Sequence, residues 1–197
     1  MHALARLANL IGGANGALLA LGRGLGAACL MLMLAAILAQ VWFRYVIGTA
    51  LAWPEEAARF LMLWSACLMA PTALRAGGFV GIDMMRALLP ARLSALIGIA
   101  LLGLMVSFLV VSVRIGWSEV TGLGGRFATD SLRVPARLDL SQWVKVPRAA
   151  MMASMLAGGV LMLSVTIELL LREIVAIGGA AARLVPIATG APEGQGE

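Results

Sequence analysis

Histidine is all but missing from this chain of 197 residues: His2 is the only one, and it stands at the start. That excludes bis-histidine haem ligation and histidine-based metal clusters, and it removes the commonest general base. A Ser-His-Asp hydrolase has nothing to work with. Cysteine is scarce as well. Cys29 and Cys67 each lie inside an apolar run, where cysteine behaves as a small hydrophobe, and no CxxC spacing supports a zinc or redox site. No phosphate-binding loop, EF-hand or paired active-site carboxylates occur. The composition implies no enzyme and no cofactor.

Charge is the next deficit. Only 13% of the residues are charged, against about 25% in a soluble domain, while 61% are hydrophobic and the mean hydropathy is +0.96. Both departures make lipid the solvent. The formal net charge is +5. The fifteen basic residues are spread between apolar runs instead of gathered on one face, so they fit anionic headgroups and not nucleic acid.

The charges punctuate the chain. Twenty uncharged residues, Gly24 to Phe43, separate Arg23 from Arg44, and at 1.5 Å each they span about 30 Å, a bilayer core. Fifteen lie between Arg59 and Arg75, 21 between Arg92 and Arg114, and 19 between Arg148 and Glu168. These predict an all-α membrane protein with four transmembrane helices, near 24–46, 54–75, 93–114 and 149–171. The second is short by charge spacing, but Trp53-Pro54-Glu55-Glu56 is a helix start. Proline is tolerated in a first turn, and carboxylates there complement the helix dipole. Arg59 then lies one turn inside, able to snorkel or to pair with Glu55. Pro71 should kink or loosen the last turn. A short amphipathic stretch near 80–89, with Ile82, Met85 and Leu89 on one side, predicts an interfacial helix between the second and third spans.

Three regions flank this membrane domain of residues 24–171. Residues 1–23 read as a lead-in, an amphipathic cytoplasmic helix or disordered. Arg6 precedes a modest apolar run as in a signal peptide, but the long apolar span directly behind it argues against cleavage. Residues 114–148 read as a charged loop or short surface helix, with Trp117 and Trp143 suited to the headgroup zone. Residues 172–197 read as a tail whose Gly-, Pro- and Glu-rich end has the composition of disorder. With both termini in the cytoplasm, seven basic residues fall inside and eight outside, so charge bias does not set the orientation.

Candidate residues have bland readings beside functional ones. Glu55 and Glu56 either cap a helix end or carry protons or cations. Arg44 either snorkels or meets a glutamate across the short connection. Glu168, with Arg172 at i+4, reads as a mild helix stabiliser. Gly12 with Gly16, and Gly22 with Gly26, have the small-xxx-small spacing of close helix contacts, a weak signal in a chain with 23 glycines.

At the join of the first two spans the pattern becomes more specific. Gln40-Val41-Trp42-Phe43-Arg44-Tyr45 is followed by Trp53-Pro54-Glu55-Glu56-Ala57-Ala58-Arg59-Phe60 and Trp64. Then come Leu74-Arg75-Ala76-Gly77, Ile82-Asp83 and Leu88-Leu89-Pro90. This ordered set, over residues 38–90, resembles the DctQ-type small membrane subunit of tripartite ATP-independent periplasmic (TRAP) transporters. Phe79 departs from it, standing where that family commonly has histidine. The resemblance implies a bacterial inner-membrane protein with cytoplasmic termini. Its partners would be a large DctM-type membrane subunit, which moves an organic acid with sodium, and a periplasmic substrate-binding protein. The small subunit would brace the large one. Arg44, Trp53, Glu55, Glu56, Arg59, Arg75 and Asp83 are the residues it marks for structure or partner contact. Two other classes stay open: a proton-coupled four-helix exporter, which needs a carboxylate embedded within a span, and an assembly or anchoring protein unrelated to transport.

Overall fold

The computed structural model describes residues 2–48, 53–77, 89–122, 127–135, 143–179 and 184–187. Four helices dominate them. Helix α1 runs His2–Trp42 and passes into a π-helical turn, Phe43–Ile47. Gly48 closes that turn, donating its amide to the Phe43 carbonyl at φ 73°, a left-handed conformation that glycine adopts without strain. Helix α2 is Trp53–Arg75, α3 is Ala91–Thr121 and α4 is Arg148–Ile177.

Several boundaries differ from the expected ones. The lead-in is helical and continuous with the first span, so α1 has 41 residues. Its alanines and leucines sustain a helix wherever neighbours pack against it. Helix α3 continues past Arg114 to Thr121, and α4 past residue 171 to Ile177. The connection between them is neither plain loop nor surface helix. It carries two antiparallel strands, β1 (Ala128–Pro135) and β2 (Trp143–Pro147), with Val134 opposite Val144 and a register irregularity between Ala128 and Arg133. Helix α2 starts as expected, with Glu55 and Glu56 in its first turn, and Pro71 does not end it. The expected interfacial helix falls almost wholly on residues 78–88, outside the described residues, as does Asp83.

Close approaches fix the helix directions. Arg75 Nη2 reaches the Gly12 carbonyl while the Leu68 carbonyl lies 3.2 Å from a Cβ built on Gly22, so α2 is antiparallel to α1. Gly158 abuts Cys67 while Arg75 reaches Glu168, so α4 is parallel to α2. Gly116 abuts Leu156 while Val113 abuts Gly159, so α3 is antiparallel to α4. Helix α3 packs chiefly on α4, whereas α1, α2 and α4 pack on one another.

The interior is small and polar, and the exterior is large and apolar. Helix α1 buries Ala5, Ala8, Gly12, Asn15, Leu19, Gly22 and Gly26, a stripe alternating by three and four. Leu19, Leu74 and Val165 form a small core, joined by Met105, Met162 and Leu169. Outside stand Leu10, Leu21, Met31, Leu104 and Phe108. Close packing of small residues with large apolar side chains turned outward is the arrangement that lipid favours. Among the described residues three stretches, His2–Ile47, Trp53–Arg75 and Leu93–Thr121, are long and apolar enough to cross a membrane.

Candidate functional site

Between the packed parts of α1, α2 and α4 lies a buried ionic cluster centred on Glu168. Its side chain has no exposed surface. Oε1 accepts from Arg75 Nη2 at 2.8 Å and from Arg172 Nε at 3.0 Å. Oε2 accepts from Asn15 Nδ2 at 2.8 Å. Asn15 Oδ1 in turn accepts from Ser164 Oγ at 2.7 Å, which fixes the orientation of the amide. Arg75 Nη2 also donates to the Gly12 carbonyl at 2.7 Å. Three helices thus meet at one carboxylate.

Backbone geometry makes the meeting possible. A Cβ on Gly12 would lie 2.8 Å from both Glu168 Oε1 and Arg172 Nη2, so only glycine lets α1 come this close. Arg172 sits one turn after Glu168 on α4, and Arg75 is the last residue of α2, whose free carbonyl end favours a cation. Farther along, Trp64 Nε1 donates to the Ala150 carbonyl at 3.2 Å and ties α2 to the start of α4. Thr72 Oγ1 and Arg75 Nε, one turn apart on α2, are buried without a hydrogen-bond partner.

The cluster also reaches the chain's C-terminal part. Arg172 Nη1 donates to the Val185 carbonyl at 2.8 Å, and the Val185 amide donates to Asn9 Oδ1 at 3.1 Å. Beside it opens a cavity of about 700 Å³, lined by Leu74, Leu101, Met105 and Phe108, with Arg75 and Arg172 at one end. Its walls are mostly apolar, and both arginines are already engaged by Glu168. Among the described residues no group of three His, Cys, Asp or Glu side chains could hold a metal ion.

The residues marked in the sequence fall into two groups. Arg75 belongs to the buried cluster. Arg44, Trp53, Glu55 and Arg59 stand exposed at the far end of α1 and α2. Glu55 pairs with Arg59 on its own helix, and the Arg44 guanidinium lies 6.0 Å from the centre of the Tyr45 ring. Glu56 is half-buried. Glu168 was the residue passed over. Its i+4 arginine was visible in the sequence, but its partners on α1 and α2 lie 153 and 93 positions away. A carboxylate closing an apolar stretch was the one available signal.

The family model for tripartite ATP-independent periplasmic transporters, DctQ component, matches residues 33–176. The chain belongs to the DctQ family. No curated protein and no solved structure matches it. As a DctQ component it is a multi-pass membrane protein and a part of a TRAP transporter, a transport family and not an enzyme family. Arg75, Glu168 and Arg172 fall inside the matched DctQ region, whereas Gly12 and Asn15 precede it.

Proposed function

We propose that this DctQ component braces a large DctM-type permease subunit and moves no substrate itself. The large subunit would import an organic acid with sodium, delivered by a periplasmic binding protein, across the bacterial inner membrane. Helix α4 would be the fourth span, both termini would be cytoplasmic, and Arg44, Trp53, Glu55, Glu56 and Arg59 would meet the partner or the opposite headgroup plane.

The observation that carries this reading is the way Glu168 is filled. Its two oxygens take three side-chain donors from three helices, and Gly12 closes over them. An exporter needs an embedded carboxylate, and Glu168 is one. Yet both its oxygens are taken by donors from fixed helix positions, and the neighbouring cavity is lined by Arg75 and Arg172 and not by Glu168 itself. Such a carboxylate clamps helices, which is what a brace requires.

The test is copurification of the large subunit alongside sodium-driven uptake. With Glu168→Gln, a brace predicts uptake falling in proportion to the yield of complex. Full complex yield with abolished uptake would instead support a carrier role for Glu168.

A further inference from the structure

The β-hairpin between α3 and α4 has no part in the Glu168 cluster. Both its roots are helix ends. Only five residues separate Thr121, the last of α3, from Phe127, and β2 passes into α4 at Pro147-Arg148 without a linker. The Arg148 amide donates to the Phe127 carbonyl at 2.8 Å and closes the base. The uncharged stretch of α4 starts at the next residue, Ala149. With α4 as the fourth span, the reading proposed above on which this inference rests, the base of the hairpin stands at the boundary of the hydrocarbon. Strand β1 also packs on α2.

The register sorts the hairpin into two unlike faces. Successive residues of a strand belong to opposite faces, and residues directly opposite across an antiparallel pair share one. Val134 is opposite Val144, and Val146 shares their face two positions on. The other face takes Arg133 opposite Lys145 and Pro135 opposite Trp143. Val146 is half-buried and Lys145 is exposed, so the valine face is the inner one and the basic face the outer.

Two cations directly opposite on one face weaken the strand pair, and an anion lying against both reverses that effect. The described strands and Arg148 hold three basic residues, Arg133, Lys145 and Arg148, against one acid, Asp130. Asp130 falls in the stretch of irregular register. On the first turn of α2, Glu55 is engaged by Arg59, and Glu56 is half-buried. Phe127, at the base, is 64% exposed. Aromatic residues beside cations at the edge of a bilayer form an interfacial anchor, with rings among the headgroups and cations on the phosphates.

We infer that this hairpin is a lipid-binding element whose Arg133–Lys145 face takes the phosphates of anionic phospholipids, with Phe127 and Trp143 in the headgroup layer. An acidic protein surface would match the charges equally well. The exposed phenyl ring and the root at the start of the apolar stretch of α4 favour lipid. Two surface cations together favour an anionic bilayer roughly thirty-fold.

The experiment places a nitroxide on Thr129→Cys in full-length protein carrying Cys29→Ala and Cys67→Ala. The protein is reconstituted in liposomes of phosphatidylcholine with or without phosphatidylglycerol, and depth is read from the ratio of oxygen to nickel-chelate collisions. The label is expected at headgroup depth, deeper with phosphatidylglycerol. It should move toward water in Arg133→Gln/Lys145→Gln, a variant that removes a repulsive pair and so keeps the fold. A label in water in both lipids, or one unmoved by phosphatidylglycerol and by the double variant, overturns the inference. A second label on Val160→Cys, exposed midway along α4, tests the span separately. Val160 deep in the hydrocarbon with Thr129 in water overturns the hairpin inference alone. Val160 outside the hydrocarbon overturns the fourth span and the inference with it.

Discussion

Asn15 and Glu168 are 153 positions apart in sequence, and the amide of one donates to the carboxylate of the other across 2.8 Å in the interior of the protein. The bond joins α1, which begins before the matched family region, to α4, which ends it. It is the point at which the N-terminal half of α1 becomes part of the bundle.

Asn15→Ala leaves Glu168 Oε2 without its donor and Ser164 without its acceptor. The expected loss is about 1–3 kcal/mol of stability. Asn15→Asp should cost more, because a second carboxylate replaces a donor facing the first. Thermal unfolding of the purified protein in detergent checks the order wild type, Asn15→Ala, Asn15→Asp.

Glu168→Ala removes the anion between two buried guanidiniums, a loss of roughly 3–5 kcal/mol for a broken buried pair. Removing Arg75 as well relieves part of that cost. The double variant Glu168→Ala/Arg75→Ala should therefore lose less stability than the two single losses added together. Strict additivity in unfolding midpoints would show that the two residues do not interact. For variants that still assemble, substrate preference in competition uptake should stay unchanged, since the charges of the cluster are paired with one another and hold helices together.

Gly12 and Gly13 are adjacent and should respond oppositely. Gly12→Ala forces a methyl to within 2.8 Å of two charged atoms, whereas a Cβ at Gly13 meets nothing within 4 Å. The first should destabilise by about 1–3 kcal/mol. The second should be neutral or stabilising by up to about 1 kcal/mol, the helix advantage of alanine over glycine. Melting curves of the two variants side by side test this.

At the far end, Glu55→Ala and Arg59→Ala should each change stability by no more than about 0–1 kcal/mol. Their pair lies within one helix turn and is largely exposed. If these residues meet the large subunit, their substitution should lower copurification yield while the melting temperature of the isolated chain holds. Equal yields from both variants and the wild type would remove this end of α2 from the proposed interface.

The apolar runs, their lengths and the helix-start residues at Trp53–Glu56 were legible in the sequence, because lipid admits only long stretches that satisfy their own backbone. The family was legible too, in the ordered motifs between Gln40 and Pro90. Composition alone also showed that histidine-based chemistry is missing. The lead-in was harder to read. Residues 2–23 contain Arg6, two asparagines and several glycines, and only packing against α2 and α4 explains why Gly12, Asn15 and Gly22 fall on the buried stripe of a continuous helix. Glu168 read as a mild i,i+4 helix stabiliser at the end of a span, since one-dimensional spacing displays its own helix and not the others. What placed Asn15, Arg75 and Gly12 around it was the stagger of three helices, set by which glycines let backbones touch. Hydropathy counts residues along each helix separately, so it fixes how much chain is apolar. The height at which one helix stands against the next is a property of the contacts between them, and those exist only once the chain has folded.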